Sequence, residues 1–139
     1  AESCTGGGVA YAITDISGSS AWFDRSFITY TNAAKMQMLG VAESTLLLHG
    51  AVSREVVSAM ALGALTHSVA QISVAISGIA GPQGGTVDKP VGTVWFAWAR
   101  SADPSATLVT ECFHLSGDRR EIREQAIEIA LQGMCKLIQ

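Results

Sequence analysis

Apolar residues recur along this chain at helical spacing in some segments and as short continuous runs in others. Helical spacing is clearest at 54–68 and 120–138, where one face is apolar and polar or charged residues occupy the other. Ser53 precedes the first of these segments and is a good N-cap for it. The pattern also predicts three shorter helices, over 8–16, 33–39 and 42–48.

Short apolar runs predict the strands. Residues 72–76 form a run typical of a central strand buried on both faces. The aromatic and β-branched residues at 26–31 also favour a strand. Two more strands are predicted over 91–99 and 108–115, joined by a polar turn around Asp103-Pro104. Helices alternate with strands early and two adjacent strands come late, which predicts a single α/β domain with three α/β/α layers and a mixed sheet.

Composition narrows the functional classes. The chain has 139 residues, 48% hydrophobic and 15% charged, which suits one well-buried domain and excludes extensive disorder. The formal net charge of -3 argues against nucleic acid as a partner, since phosphate binding needs concentrated Lys and Arg. No apolar run reaches the roughly 18 to 20 residues that cross a bilayer, and no signal peptide is visible. We therefore expect a cytoplasmic protein without a membrane partner.

The cysteines and histidines favour neither disulfides nor a metal. The cysteine number is odd and the spacing fits no disulfide framework, so reduced thiols are the simplest interpretation. The histidines are far apart and lack the spacing of paired metal ligands. We expect no metal and no cofactor. The residues concerned are Cys4, Cys112 and Cys135, and His49, His67 and His114.

Residues 1–8, Ala-Glu-Ser-Cys-Thr-Gly-Gly-Gly, lead into the first predicted helix, with Thr5 as a possible N-cap. Glycines in a helix interior cost up to about 1 kcal/mol each relative to alanine. Three consecutive glycines would be explained if an anion or oxyanion approached the backbone N–H groups closely. A tight turn without a ligand is the alternative. Ser3 and Cys4 both offer a nucleophile here. In an extended loop they point in different directions, so only one faces a substrate.

A second loop, residues 30–35, places Lys35 near a helix start. With Asn32 as N-cap, Lys35 occupies the third helical position, where the helix dipole disfavours a cation. This effect favours the neutral amine that a general base requires, although burial or another cation must supply most of the change in pKa. A solvated surface lysine is the alternative. Tyr30, at the predicted strand end, is equally consistent with a packed aromatic residue.

A third loop, residues 77–85, is rich in glycine and follows an apolar strand directly. In α/β sheets, ligands bind at the carboxyl ends of strands, which favours a binding site here. A flexible surface connection is the alternative. Pro82 and Pro90 make the segment less flexible than its glycine content suggests.

Seven blocks of sequence together resemble one family, the C-terminal domain of the competence/damage-inducible protein A (CinA) family, and especially its stand-alone nicotinamide-nucleotide amidases. The blocks occur in family order over nearly the whole chain. We expect the chain to lack a helix and a strand that usually precede the first block in the family, and the molybdopterin-binding-like domain of longer relatives. The blocks lie at 1–7, 16–23, 30–35, 49–53, 77–82, 89–94 and 117–119.

The resemblance implies an amidohydrolase acting on a linear, non-peptide amide. It implies that nicotinamide mononucleotide is hydrolysed to nicotinate mononucleotide and ammonia in pyridine-nucleotide recycling. Ser3 is then the nucleophile, Lys35 and Tyr30 activate it and shuttle protons, and Arg119 is a polar or phosphate contact. Ser–Lys pairs are a known variant of the catalytic triad.

The resemblance leaves several points open. Backbone N–H groups around 5–7 or in the 77–81 loop form the oxyanion hole, and the sequence does not decide which loop holds the phosphate. A homo-oligomer is expected from the family and the apolar fraction. A catalytically silent, nucleotide-binding paralogue is the alternative function, whereas the acidic charge balance does not support a DNA-repair accessory. The expected substrate-binding residues are Thr5, Gly6, Gly7, Ser77, Gly78, Gly81 and Arg119.

Overall fold

The computed structural model describes residues 1–101 and 106–139, which form five α-helices and three β-strands. The polar turn expected around Asp103-Pro104 lies outside the described residues. A single 3-10 turn follows the first helix. The helices are α1 (Gly8–Thr14), α2 (Asn32–Leu39), α3 (Glu43–His49), α4 (Arg54–Thr66) and α5 (Arg119–Ile138). The strands are β1 (Ile72–Gly78), β2 (Thr93–Arg100) and β3 (Thr107–His114).

The three strands form an antiparallel sheet in the order β1-β2-β3. Two extended segments continue it beyond β1. Residues 1–3 run parallel to β1, and residues 27–29 run parallel to residues 1–3, each through an isolated bridge at Glu2. The sheet is therefore mixed, because its three antiparallel strands are continued by parallel segments at the β1 edge.

Side chains alternate along the strands and fill two apolar layers. Val74 and Ile76 of β1 face α1 and α5, together with Phe96 of β2. Ala75 of β1 and Ala97 of β2 face the other way, toward α4 and the loops around it. Helices thus cover both faces of the sheet, which confirms the predicted three-layer α/β single domain.

The strand predicted over 26–31 is wrong as a regular strand. Only Ile28 forms a bridge there, with Glu2, so the segment has one pairing partner and the helix α2 begins directly after it. Two predicted N-caps also differ. Thr31, whose hydroxyl accepts from the Ala34 N–H, caps α2 in place of Asn32. Gly7, with a φ of 99°, precedes α1 in place of Thr5.

Local signals fix the ends of the longer helices. Ser53 caps α4 as expected, accepting from the Val56 N–H at 3.3 Å. Asp118 begins α5 through a capping box with Glu121. Gly40 ends α2 in the left-handed conformation, at a φ of 68°. No helix in the described part of the chain combines the length and apolar character needed to cross a bilayer.

The aromatic residues divide between core and surface. Trp98 is buried between β2 and α5, and its indole N–H donates to the Ala130 carbonyl at 2.9 Å. Trp22, in contrast, is 59% exposed. Gly133, one turn beyond Ala130, lies directly against the Trp98 ring, so a β-carbon at that position would overlap the indole. The glycine is therefore required by packing.

We predict that Gly133→Ala lowers the unfolding free energy by about 1 to 3 kcal/mol, because it forces the Trp98 ring out of place. Alanine's helix propensity, about 1 kcal/mol better than glycine's, acts in the opposite direction. Denaturant unfolding followed by tryptophan fluorescence measures the change. Glu128→Ala, at an exposed position of the same helix, is the control and should stay within about 0.5 kcal/mol of the parent. Unchanged or higher stability of Gly133→Ala would contradict the packing argument.

Candidate active site

Ser3 lies at the end of the central one of three parallel segments. Its N–H donates to the Ile76 carbonyl of β1 at 3.1 Å. On the other side, the Glu2 N–H donates to the Phe27 carbonyl at 2.8 Å. The Glu2 backbone carbonyl accepts from the Thr29 N–H, also at 2.8 Å. The three segments end side by side, the arrangement in which α/β proteins place ligand sites.

Lys35 meets Ser3 in the interior. Its Nζ lies 3.2 Å from the Ser3 Oγ and 2.8 Å from the Thr29 carbonyl oxygen, to which it donates. Lys35 is 1% exposed, and Ser3 is 9% exposed. With Thr31 as N-cap, Lys35 is the fourth residue of α2, and long helical side chains point back toward the helix start. The pairing of Ser3 with Lys35, 32 residues apart in the chain, is thus present in the fold.

Burial lowers the pKa of Lys35 below its ordinary value, and the nearby Cys4 opposes this effect weakly. Removal from water disfavours the charged ammonium, so the neutral amine becomes available nearer to neutral pH. A neutral amine has a lone pair that accepts a proton from a hydroxyl at hydrogen-bond distance. The environment of Lys35 therefore suits a general base.

Cys4 faces away from this pair. It belongs to the apolar cluster between the sheet, α1 and α5, and it is 6% exposed. Burial raises the pKa of the Cys4 thiol to about 11. Since the thiolate is the reactive form, Cys4 is inert at neutral pH. Of the two adjacent candidate nucleophiles, Ser3 alone contacts a potential base.

The side chain of Glu2 occupies the amino end of α1. Its carboxylate accepts hydrogen bonds from three backbone N–H groups and two hydroxyls, although it is only 2% exposed. Such multiple donation to a buried carboxylate offsets its loss of hydration. The donors are the N–H groups of Gly7, Val9 and Ala10, at 3.0, 3.1 and 2.9 Å, and the hydroxyls of Thr5 and Ser26, at 2.6 and 3.3 Å.

In this geometry, several donors of the glycine-rich loop already have acceptors within the chain. The Gly6 N–H donates to the Ser3 carbonyl at 3.0 Å, and the Gly7 N–H donates to Glu2. The Thr5 hydroxyl also donates to Glu2, and Thr5 is fully buried. An internal carboxylate therefore takes the place expected for a bound anion. Sequence reasoning missed Glu2, although a carboxylate shortly before a glycine-rich helix start was the available signal.

Arg123 was also missed. From α5 its Nε donates to the Cys4 carbonyl at 3.0 Å, and its Nη2 donates to the Thr5 carbonyl at 3.1 Å. These two hydrogen bonds attach the loop that follows Ser3 to α5. Its position one helical turn after Arg119 was the only signal in the sequence, because both then share a face of α5.

Arg119 brings a second group of predicted residues together. Its Nη1 donates to the Gly81 carbonyl at 2.8 Å, and its Nη2 donates to the Tyr30 hydroxyl at 3.2 Å. Tyr30 is 59% exposed. Within the described residues, its hydroxyl forms a hydrogen bond with Arg119 alone. The structure thus places Tyr30 with Arg119 and Gly81, apart from the Ser3–Lys35 contact. A depression of about 640 Å³ adjoins this group, lined by Ala80, Pro82, Val91, Gly117, Asp118, Arg119, Arg120 and Arg123.

The third predicted loop starts where β1 ends. Ser77 is 1% exposed, and Gly78 is the last residue of the strand. Alternation along β1 turns the Gly78 N–H toward the edge that residues 1–3 occupy, as it does for the Ile76 N–H. A β-carbon at Gly78 would lie 2.7 Å from a Val94 methyl group. Packing against Val94 therefore leaves room only for glycine at position 78.

A separate groove of about 590 Å³ lies at the opposite, amino ends of the same segments. Ala1, Ile72 and Val74 line it, whereas Ser3 and Lys35 do not. No cluster of three or more His, Cys, Asp or Glu side chains suited to a metal ion occurs among residues 1–101 and 106–139.

Comparison with known proteins identifies the family. The model of the CinA C-terminal domain matches residues 1–138. This chain belongs to the CinA C-terminal domain family. The resemblance seen in the sequence blocks is thereby confirmed.

Curated relatives in this family carry an enzyme's name. The nicotinamide-nucleotide amidohydrolase PncC of Escherichia coli K12 is 61% identical over 134 residues, which cover 96% of this chain and 79% of that protein. The protein of the same name from Pseudomonas putida is 50% identical over 137 residues, covering 99% and 83%. Both names denote an amidohydrolase, the enzyme class expected from the sequence.

Solved structures of the CinA family share the fold. The competence/damage inducible protein CihA of Agrobacterium tumefaciens superposes with a TM-score of 0.94 at 47% identity, covering 99% of this chain and 82% of that one. A competence or damage-inducible protein of Enterobacter asburiae gives a TM-score of 0.92 at 34% identity, covering 99% and 84%.

We predict that Glu2→Gln lowers the unfolding free energy by about 2 to 3 kcal/mol, because a neutral amide accepts fewer and weaker hydrogen bonds from the start of α1. Amide hydrogen exchange should accelerate at Gly7, Val9 and Ala10. Glu43→Gln, at the exposed first turn of α3, is the control and should leave these amides unchanged. Unaltered exchange in Glu2→Gln would show that the carboxylate does not hold this helix start.

Proposed function

We propose that this protein hydrolyses the carboxamide of nicotinamide mononucleotide, giving nicotinate mononucleotide and ammonia, through a Ser3–Lys35 pair. The observation that carries the proposal is the 3.2 Å contact between the Ser3 hydroxyl and the buried Lys35 amine. The names of the relatives from Escherichia coli and Pseudomonas putida support an amide of a nicotinamide nucleotide as the substrate.

In the first half-reaction, the Ser3 Oγ attacks the carboxamide carbon while its proton passes to the Lys35 Nζ. The negative charge moves to the carbonyl oxygen of a tetrahedral intermediate. When that intermediate collapses, the carbon–nitrogen bond breaks, and the Lys35 ammonium returns the proton to the departing nitrogen. Ammonia leaves, and an ester links the nicotinoyl group to Ser3.

In the second half-reaction, water attacks the ester carbon and gives its proton to Lys35. The ester bond breaks, the proton returns from Lys35 to the Ser3 oxygen, and nicotinate mononucleotide departs. One water is consumed for each ammonia released. Lys35 changes charge in both halves, so a site that lowers its pKa assists both proton transfers.

Two backbone N–H groups suit the oxyanion of these intermediates. Gly6, Gly7 and Gly8 donate inside the chain, whereas the Thr5 and Gly78 N–H groups have no acceptor in the described parts of the chain. Thr5 follows Ser3 by two residues, and Gly78 ends the strand whose Ile76 carbonyl accepts from the Ser3 N–H. We assign Thr5 and Gly78 as the oxyanion donors, because preorganised amides stabilise developing charge without reorientation.

Arg119 suits the phosphate of the nucleotide. It is fixed by the Gly81 carbonyl and shares a hydrogen bond with Tyr30 beside an open depression of about 640 Å³. A guanidinium held in this way binds phosphate oxygens through paired N–H groups. We therefore assign Arg119 and residues 80–82 of the loop to the phosphate, and Tyr30 to contact with the bound nucleotide.

We predict that Ser3→Ala and Lys35→Met each reduce ammonia release from nicotinamide mononucleotide by at least about 1,000-fold, since removal of either member of a nucleophile–base pair disables the pair. Coupled detection of ammonia measures the rate. The controls are Cys4→Ala, beside the nucleophile, and Lys136→Met, an exposed lysine. Both should retain most of the parent rate.

Full turnover by Ser3→Ala would contradict the assigned nucleophile. No ammonia release by a folded parent that still binds the nucleotide, measured by calorimetry, would instead identify a silent nucleotide-binding protein. Turnover lost in Cys4→Ala but not in Ser3→Ala would return the role to the neighbouring thiol.

We predict that Arg119→Ala raises the KM for nicotinamide mononucleotide by about 10- to 100-fold, because a charged hydrogen bond to phosphate is lost. The KM for nicotinamide riboside, which lacks the phosphate, should change little. Arg54→Ala, an exposed arginine at the start of α4 and outside the depression, is the control. An equal rise in KM for both substrates would contradict the assignment of Arg119 to the phosphate.

A further inference from the structure

Three hydroxyl residues share one level of the parallel segments. The bridges of Glu2 with Ile28 and with Ile76 align residues 2, 28 and 76 across the three segments. The following residue of each segment has its side chain on the opposite face, because side chains alternate along extended chain. Those residues are Ser3, Thr29 and Ser77, and all three are buried.

Thr29 is the residue of this row whose buried hydroxyl lacks a hydrogen bond in the described part of the chain. Thr29 is 0% exposed, and its Oγ1 has no hydrogen-bond partner in the described part of the chain. Its backbone is fully engaged, with the N–H donating to Glu2 and the carbonyl accepting from Lys35. A buried hydroxyl without a partner destabilises a fold, and valine would fill the same space without that penalty. Packing alone therefore does not explain a threonine here.

The hydrogen-bond capacity of Lys35 changes during the proposed reaction. The neutral amine has two N–H donors and one lone pair, which the Thr29 carbonyl and the Ser3 hydroxyl engage. After it takes the Ser3 proton, the ammonium has three N–H donors. Two of them keep these neighbours, and the third needs an acceptor because Lys35 is buried.

We propose that the Thr29 hydroxyl is a positioning group that accepts the third N–H of the Lys35 ammonium, directly or through one water. Thr29 already contacts the Lys35 amine through its carbonyl, and its hydroxyl is a buried acceptor without a partner in the described residues. The hydroxyl thereby stabilises the charged form that follows proton transfer. This inference rests on Lys35 being the base of the proposed function.

Few other groups near Lys35 change the stability of its ammonium form. Cys4 is the titratable group that acts on the Lys35 charge in the described residues, and its thiol stays protonated because burial raises its pKa to about 11. Tyr30 follows Thr29 in the chain, but its hydroxyl bonds to Arg119. Loss of an acceptor for the ammonium should therefore be seen directly in the pKa of Lys35.

Thr29→Val tests the inference, because it removes the hydroxyl and keeps the shape. We expect kcat to fall about tenfold with little change in KM, and the acid limb of the pH–rate profile to move to lower pH. The melting temperature should be unchanged or about 2 to 4 °C higher, since an unpaired buried hydroxyl is lost. Thr29→Ser should restore kcat and the profile. Ser73→Ala, which removes a buried hydroxyl that is bonded to the Ala61 carbonyl, should lower the melting temperature without moving the profile.

A second measurement does not depend on turnover. The chain has three lysines, so the Cε resonance of Lys35 can be titrated in protein labelled with ¹³C-lysine. We expect Thr29→Val to lower the Lys35 pKa by about one pKa unit in the absence of substrate. An unchanged Lys35 pKa, or a loss of kcat accompanied by a lower melting temperature, would overturn the role of Thr29. If the parent shows no ammonia release, the proposed function fails, whereas the titration still decides whether Thr29 stabilises the ammonium.

Discussion

The carboxylate of Glu2 and the amino end of α1 form the interaction on which the site depends. Residues 1–3 lie between β1 and residues 27–29. The Glu2 side chain accepts four hydrogen bonds from the turn and helix that follow and a fifth from the Ser26 hydroxyl. This arrangement fixes the Glu2 side chain on one face of the sheet. Because side chains alternate, it also directs the next residue, Ser3, to the opposite face. A helix start of the kind that can bind a phosphate holds an internal carboxylate here, and with it the backbone that leads to Ser3.

The chemistry of the site depends on burial, which removes particular groups from contact with water. Lys35 is almost completely buried, so its amine loses the hydration that would keep it charged. Cys4, next to Ser3 in the chain, is buried among apolar side chains, and the same loss of hydration keeps its thiol protonated. Burial therefore favours the neutral form of both groups, the amine of Lys35 and the thiol of Cys4. Arg119 remains beside an open depression, where a ligand can reach it.

Sequence reasoning succeeded where local signals were strong. The long helices α4 and α5 follow from sustained apolar periodicity, and Ser53 caps the first of them as expected. It failed at 26–31, because aromatic and β-branched residues indicate extended chain without saying how many partners that chain will find. It also treated the glycine-rich loop as open to an anion. The acceptor was Glu2, and only the path of the chain shows that its side chain turns toward these amides.

By itself, the sequence determined the α/β class, the order of the helices and most strands, the family, and the residues Ser3 and Lys35 as candidates. These properties depend on periodicity, caps and short motifs, which act over a few residues. The tertiary structure alone decided that Lys35 is buried against Ser3, that Tyr30 lies with Arg119, and that Thr29 has an unused hydroxyl. Hydrogen bonds and loss of hydration between residues distant in the chain set these properties, and no local pattern records them.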